Sequence, residues 1–204
     1  MSTPKRLVVG LSGASGMPYA LDLLKTLREI EGVETHLVLS QGAKRVLIEE
    51  AGVSLEETEA LAHVIHRGTD LGASIASGSF RTIGMVIVPC TATTLSKVAY
   101  GLSDNLLVRA AYVTLKERRP LVLVPREAPL PIPSLEAMLK AAQAGATILP
   151  AAPGFYHRPR EISDLLGFMT QRILDLFGLE YPRSPRWKDG PSTPLGESGD
   201  PESR

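Results

Sequence analysis

Short apolar runs alternate with amphipathic, helix-period segments along most of this sequence, and this alternation is what most restricts its fold. Five runs have the composition of strands, at 6–10, 35–40, 82–90, 121–125 and 146–150. The third and fourth are apolar almost throughout, which is typical of strands buried on both faces of a sheet. The alternation therefore predicts an α/β fold with a doubly wound, mostly parallel sheet.

The length and the C-terminal composition predict one domain followed by a tail. A chain of 204 residues is long enough to bury a substantial core in a single domain. We expect that domain to occupy residues 1–188. The stretch 189–204 has no apolar side chain suited to a core apart from Leu195, and we expect it to be disordered.

Charge and cysteine content exclude several classes of protein. The 22 Lys and Arg residues balance the 22 Asp and Glu residues, which argues against a nucleic-acid or membrane-surface partner. The single cysteine, Cys90, cannot form an intrachain disulfide. No apolar stretch approaches the roughly 18 residues of a membrane span, and the N-terminus leads directly into a strand. We expect a cytoplasmic protein.

The segment GLSGASG, residues 10–16, connects the first predicted strand to the first predicted helix. A dinucleotide fingerprint would need glycine where this chain has Ser12 and Ser15, and the loop lacks the Gly-Lys-Ser/Thr of a P-loop. Backbone N–H groups at a helix N-terminus, together with serine hydroxyls, suit the phosphate of a mononucleotide or another small anion. A capped turn without a ligand is the alternative.

Polar groups also follow the other predicted strands. Ser40 ends the second strand, CTATT (90–94) follows the third, PRE (125–127) ends the fourth and PGFYHRP (153–159) follows the fifth. Each has an ordinary structural interpretation as a cap, turn or surface loop. Because ligands bind at the carboxyl ends of strands in such sheets, their shared position predicts a ligand site there.

Several of these segments resemble the UbiX-type flavin prenyltransferases over residues 5–187. The resemblance is carried by GLSGASG, LVLSQGA, PCTATTL, TLKERRPLVLVPREAPL, MLKAAQAGATILPAAPGFYHRP and RILDLFGL, of which the stretch from Lys116 to Pro159 is the most specific. It implies a Rossmann-like flavoprotein fold and a metal-independent enzyme. That enzyme joins the dimethylallyl group of dimethylallyl phosphate to N5 and C6 of reduced FMN. The product, prenylated FMN, serves UbiD-type decarboxylases. The resemblance further implies a homo-oligomer, dodecameric in family members, with active sites at subunit interfaces.

The resemblance also assigns roles to individual residues. The implied FMN-binding residues are Gly13, Ala14, Ser15, Ser40, Thr91, Ala92, Thr93, Thr94 and Arg126. The residues implied to bind or line the site of dimethylallyl phosphate are Ser77, Lys116, Arg126, Tyr156, Arg172 and Trp187. The implied catalytic residues are Ser15, Glu50, Lys116 and Glu127, with acid–base roles for the two glutamates.

These residue types suit the implied chemistry. Cleavage of a carbon–oxygen bond to phosphate builds negative charge on the leaving group, and fixed cations stabilise that charge. Arginine offers a planar fork and lysine a point charge for this purpose. Loss of the C6 proton needs a base, which is either a glutamate or the retained phosphate.

Structural interpretations stand beside these roles. Lys116 lies in the last turn of a predicted helix, where cations favour the helix dipole. Glu50 could be solvated, Arg172 could extend over an apolar surface, and Tyr156 could pack in its loop. Cys90 has the position of a buried apolar residue, and His63 and His66 lack the further ligands of a metal site.

Two other functions fit the same fold. A flavin-dependent cysteine decarboxylase would carry a Pro-x-Met-Asn-x-x-Met-Trp motif, where this chain reads VPREAPLPIP. A flavin carrier without turnover would have no need of Lys116, Arg126 and Arg172. One position departs from the family, since Tyr112 replaces the usual aspartate four residues before Lys116. Because such residues are neighbours on a helix, we expect Lys116 to be less well oriented here.

Overall fold

Residues 3–181 are described by the computed structural model of the chain. The strands are β1 (Lys5–Leu11), β2 (Val33–Leu39), β3 (Val64–His66), β4 (Gly84–Cys90), β5 (Leu121–Pro125) and β6 (Thr147–Ile148). The helices are α1 (Met17–Glu29), α2 (Gln41–Ala51), α3 (Leu55–Glu59), α4 (Ala92–Tyr100), α5 (Leu106–Lys116), α6 (Ile132–Gln143) and α7 (Ile162–Leu176). Trp187 and the predicted disordered tail lie outside the described residues.

The strands form one sheet in the order β3-β2-β1-β4-β5-β6, and every neighbouring pair is parallel. The predicted doubly wound α/β fold is confirmed. The predicted number of five strands is wrong, because the described residues contain six. The missed strand, β3, has three residues and ends in a histidine, so it shows too little of the apolar pattern that marks a strand.

Helices cover both faces of the sheet. α1, α2 and α7 pack on one face, whereas α4, α5 and α6 pack on the other. Side chains of β1 alternate between these layers, since Leu7 and Val9 join the first cluster and Val8 joins the second. Each fully buried side chain of this size contributes about 1.5–3 kcal/mol, so two-sided burial accounts for the continuous apolar composition of the inner strands.

One helix begins earlier than the sequence pattern indicates. The apolar periodicity predicts a helix from Leu135, but α6 begins at Ile132. Pro133 lies in its first turn, where proline is tolerated because the first N–H groups of a helix have no intrahelical partner. A proline that resembles a helix breaker in the sequence therefore belongs to the helix.

The strand order reverses between β1 and β4. The chain leaves β1 toward α1 on one face of the sheet and leaves β4 toward α4 on the opposite face. The two connections diverge at the carboxyl edge of the sheet and open a crevice between them. Doubly wound sheets bind their ligands at this kind of position.

A network of polar side chains crosses three strands beneath the α5 layer. Arg6 Nε lies 2.9 Å from Glu34 Oε1, and the same oxygen lies 2.8 Å from His36 Nε2. His36 Nδ1 in turn lies 2.9 Å from His66 Nε2. Burial lowers the pKa of His66, and the neighbouring His36 imidazole adds to this effect while Asp70 opposes it. The folded protein thus favours neutral His66.

Replacing His66 with glutamine should reduce the loss of stability in acid. Because the folded-state pKa of His66 lies below its ordinary value of about 6.5, the unfolded chain takes up the proton more readily. Stability is therefore lost as the pH falls from about 6.5 toward the folded-state pKa. Glutamine retains a hydrogen-bonding group but cannot be protonated. Thermal midpoints measured near neutral pH and at about pH 5 should fall less in His66→Gln than in the wild type. Equal decreases would contradict this role of His66.

Candidate functional site

The loop between β1 and α1 is fixed by close backbone contacts. Gly13 lies against the backbone of Gly42, and a Cβ at Gly13 would come within 2.9 Å of the Gly42 carbonyl carbon. Ser12 joins this loop to the end of β4, because its hydroxyl donates to Pro89 O at 2.9 Å and accepts from Thr91 N at 2.7 Å. The serine at the third fingerprint position therefore ties together the two strand ends that border the crevice.

The N-terminus of α1 is capped by a side chain from α2. The Glu50 carboxylate accepts from Gly16 N at 2.9 Å, from Met17 N at 3.2 Å and from Ser15 Oγ at 2.7 Å. A carboxylate of the chain itself therefore binds these backbone donors. The expectation that this loop holds the phosphate of a mononucleotide stays a prediction. Glu50 is exposed to solvent, as its structural interpretation expected, but unlike Glu49, which pairs with Arg45 on the surface, it also caps α1.

The environment of Glu50 keeps its side chain ionised. Burial would raise the pKa of Glu50, but hydrogen bonds from Ser15, Gly16 and Met17, together with the charge of Arg126, outweigh burial. The pKa of the Glu50 carboxyl therefore lies below its ordinary value. At neutral pH, Glu50 is a carboxylate that accepts a hydrogen bond from the Ser15 hydroxyl.

Arg126 completes a group of three predicted site residues. It follows β5, and its Nε donates to Ser15 O at 3.2 Å. The structure therefore brings Ser15, Glu50 and Arg126 into contact, although they come from three separate segments of the chain. Glu127 follows on the same strand end and is exposed to solvent.

Two further helices begin at this edge with hydroxyl caps. Ser40 caps α2 by accepting from Ala43 N at 3.1 Å. Thr91 caps α4 by accepting from Thr94 N at 3.0 Å, and its hydroxyl donates to Thr94 Oγ1. Both predicted residues thus orient helix N-termini, whose remaining N–H groups and dipole favour anions.

A cavity of about 430 Å³ lies beside Ser40, at the N-terminus of α2. Lys44 and Arg67 bring positive charge to its lining, and Glu59 brings one negative charge. The sequence interpretation missed both cations. The sequence could have indicated Lys44, because a cation near the start of a helix is unfavourable for the helix dipole unless an anion binds nearby.

Tyr156 and Arg172 lie along the same side of α7. The Tyr156 ring packs edge-on against Phe168 with the ring centroids 5.7 Å apart, and Phe168 and Arg172 are four residues apart on the helix. Arg172 Nη1 pairs with Asp175 Oδ2 at 3.2 Å. Both predicted side chains are about half exposed, at 47% for Tyr156 and 49% for Arg172.

Lys116 and Ser77 lie at the opposite edge of the sheet. α5 begins beside Gly68, just after the carboxyl end of β3, because Leu106 N donates to Gly68 O. Its 11 residues extend about 16 Å and end at Lys116, beside the amino end of β5. Ser77 lies there too, since Arg119 binds the adjacent Gly78 carbonyl. Within one chain, the depth of the sheet separates these two residues from Ser15 and Arg126.

Tyr112 and Lys116 contact different groups in the structure. Its ring lies against Gly101 and under the guanidinium of Arg109, 5.8 Å from the ring centroid. Lys116 Nζ pairs instead with Glu117 Oε1 at 3.2 Å. The expectation that Lys116 is less well oriented with Tyr112 in place of the family's aspartate stays a prediction.

The remaining sequence expectations concern cysteine, metals and membranes. Cys90 is buried, and burial raises the pKa of its thiol, which suits an inert apolar residue. Among residues 3–181, no group of three or more His, Cys, Asp or Glu side chains is arranged to hold a metal ion. Within the same range, no helix has the length and apolar character required to cross a membrane.

Known proteins resemble this chain over nearly its whole length. The profile of the family named Flavoprotein matches residues 1–165. A flavin prenyltransferase UbiX from Deinococcus radiodurans is 60% identical over 188 residues, which cover 92% of this chain and 96% of the relative.

Two crystal structures share the fold closely. One is a dodecameric FMN-dependent UbiX-like decarboxylase from Escherichia coli O157:H7, with a TM-score of 0.88 and 45% identity over 90% of this chain and 99% of the other. The second is AnUbiX (PadA1) in complex with FMN and dimethylallyl pyrophosphate. It has a TM-score of 0.86 and 41% identity over 91% of this chain and 100% of the other.

Removing the Glu50 carboxylate should destabilise the protein through α1. Glu50→Ala leaves the N–H groups of Gly16 and Met17 without their acceptor, and loss of such a cap costs about 1 kcal/mol. For a chain of this size, that loss lowers the thermal midpoint by about 2–4 °C. Glu49→Ala is the matched control, because its exposed pair with Arg45 contributes little. Equal midpoints for the two variants would contradict the capping role.

Proposed function

The chain belongs to the UbiX family of flavin prenyltransferases, and from that membership we propose which of its residues perform each part of the reaction. The family predicted from the sequence and its flavoprotein fold are confirmed. The protein is an enzyme that produces prenylated FMN. At 60% identity to a flavin prenyltransferase, the cysteine decarboxylase and the flavin carrier considered above are set aside.

We propose that FMN binds at the carboxyl edge of the sheet, along Gly13, Ala14, Ser15, Ser40, 91–94 and Arg126. Two observations support its fit there: the helix N-termini of α2 and α4, whose N–H groups beyond the caps favour an anion, and the cavity with Lys44 and Arg67. FMN also occupies the related AnUbiX structure. Reduced FMN supplies the N5 and C6 atoms that bond to the dimethylallyl group.

The phosphate of dimethylallyl phosphate is the group that the cationic residues would hold. Arg126 and Arg172 can each present a planar fork, and Tyr156 a hydroxyl donor. Negative charge builds on the phosphate as the carbon–oxygen bond breaks, and these donors stabilise that charge. AnUbiX was crystallised with dimethylallyl pyrophosphate, so the activity assay below compares both esters.

We further propose that each active site is shared between subunits. Ser77 and Lys116 lie across the depth of the sheet from Ser15 and Arg126, so one chain cannot bring all four residues to one phosphate. The related protein from Escherichia coli O157:H7 is dodecameric. A similar assembly would bring Ser77 and Lys116 of one subunit to the carboxyl edge of its neighbour. The observation that carries this proposal is the distance across the sheet, within one folded chain, between Ser77 and Lys116 on one side and Ser15 and Arg126 on the other.

Ser15 and Glu50 form the proposed proton-accepting pair. Glu50 is ionised and accepts a hydrogen bond from the Ser15 hydroxyl. Ser15 would give its proton to the Glu50 carboxylate as it takes one from a bound flavin. Glu127 is the proposed acid, since it is exposed at the same strand end, next to Arg126. Trp187 remains a proposed lining residue.

The proposal also covers metal dependence, the recipient of the product and the cellular location. The side-chain cations provide the charge stabilisation that a metal would otherwise supply, so we propose a metal-independent reaction. Its product would pass to a UbiD-type decarboxylase. A cytoplasmic location accords with the single cysteine and the absence of a disulfide partner for it.

Purified protein incubated anaerobically with reduced FMN and dimethylallyl phosphate should form prenylated FMN in the presence of EDTA. The flavin is identified by mass spectrometry, and dimethylallyl pyrophosphate is tested in parallel. We expect turnover with the monophosphate, no loss of rate with EDTA and no gain with magnesium. A rate abolished by chelation and restored by one divalent metal would contradict the proposed mechanism.

Mixed assemblies should recover activity that neither parent variant has. Lys116→Ala and Arg172→Ala each remove a phosphate-binding cation, and each homo-oligomer should lose most of its activity. When the two chains are co-expressed at equal levels, about a quarter of the sites combine an intact Arg172 with an intact Lys116 from the neighbour. About a quarter of wild-type activity should therefore return. No recovery, with mixed assembly verified by mass spectrometry, would show that both residues must come from the same chain.

A further inference from the structure

We propose that Arg119 is a positioning residue for prenyl transfer. It holds the segment Ser77–Phe80 against the end of α5, so that Ser77 and Lys116 are presented as one rigid unit. This inference rests on the proposed function, in which those two residues complete the phosphate site of a neighbouring subunit.

The guanidinium of Arg119 binds two carbonyl groups of that segment. Its Nη2 donates to Gly78 O at 2.6 Å, and its Nη1 donates to Phe80 O at 2.7 Å. The two carbonyls lie on either side of Ser79, so one planar fork fixes the backbone through the whole turn. Lysine would carry the same charge but could not reproduce the fork.

The same segment is held at its two ends by other side chains. At one end, the Glu117 carboxylate packs against Gly78, and Glu117 also pairs with Lys116. At the other end, the Phe80 ring packs under the Arg6 guanidinium, 4.7 Å away, and edge-on to His36, with centroids 5.1 Å apart. Among these side chains, Arg119 alone contacts both Gly78 and Phe80.

The backbone after α5 is shaped to direct Arg119 back toward this segment. Arg118 has a φ of 54°, in the left-handed region that non-glycine residues rarely adopt. Such a conformation persists only where the surrounding structure determines it. The turn brings Arg119 N to Thr114 O at 3.0 Å and places its side chain beside the carbonyls of Gly78 and Phe80.

The held turn leaves Ser77 exposed and ordered. Phe80 N donates to Ser77 O at 3.2 Å, and the hydroxyls of Ser77 and Ser79 lie 2.9 Å apart. Without the Arg119 fork, this turn loses its fixed distance from Lys116. The affinity for the phosphate ester should then fall, while FMN binding should not change, because neither Ser77 nor Lys116 is among the proposed FMN-binding residues.

The test compares Arg119→Lys with the matched control Arg118→Lys, whose side chain is exposed beside the turn. In Arg119→Lys, we expect the KM for dimethylallyl phosphate to rise about ten- to a hundredfold, since small displacements of positioning groups have effects of this size. The dissociation constant of FMN should stay at the wild-type value. Hydrogen exchange at the amides of Ser79 and Phe80 should become faster, and Arg118→Lys should match the wild type in all three measurements.

A double-mutant cycle tests whether Arg119 acts through Ser77. If it does, Arg119→Lys should raise KM much less in a Ser77→Ala background than in the wild type, because the group that it positions is already absent. Additive effects in an active enzyme would overturn this inference alone, as would faster exchange with an unchanged KM. Failure of the wild-type enzyme to form prenylated FMN would instead overturn the proposed function, and this inference with it.

Discussion

The parallel direction of all six strands is the constraint on which the arrangement of this protein depends. Parallel strands bring all their carboxyl ends to one edge of the sheet, so loops that are far apart in the chain meet there. Ser15, Glu50 and Arg126 are in contact for this reason. The same constraint sends α5 across the depth of the sheet, and any residue at its C-terminal end must lie at the far edge. A reaction that needs both Arg126 and Lys116 therefore needs two copies of the chain.

Each edge is organised by a charged side chain that acts on backbone groups. At the carboxyl edge, Glu50 neutralises the N-terminus of α1 and orients the Ser15 hydroxyl. At the amino edge, Arg119 donates hydrogen bonds to the Gly78 and Phe80 carbonyls and so holds the turn that contains Ser77. Ser15 and Ser77, the two serines proposed to line the active site, belong to the segments that these charged side chains hold. Charge-assisted hydrogen bonds to the backbone are directional enough to set such geometry.

The sequence predicts most of the fold, but it does not predict those contacts at the candidate site that depend on tertiary structure. Two-sided burial leaves a clear apolar pattern in β4 and β5, whereas β3 has three residues and leaves almost none. Ser40 and Thr91 could be recognised as caps, since a cap depends on local sequence. The capping of α1 by Glu50 could not be, because these groups are more than thirty residues apart and meet only through the packing of α2. In the sequence, the helix dipole alone explains the cations at the end of α5. Only the tertiary structure shows that Lys116 forms an ion pair whereas Arg119 binds backbone carbonyls.

The central claim is that two subunits build each phosphate site, and a structure of the assembled enzyme with FMN and dimethylallyl phosphate tests it most directly. The decisive quantity is the distance from the ester phosphate to Lys116 Nζ and Arg172 in each subunit. We expect the phosphate to lie within hydrogen-bond distance of Arg172 and Tyr156 of one subunit and of Lys116 and Ser77 of another. A phosphate contacted by Arg172 and Lys116 of the same chain would contradict it.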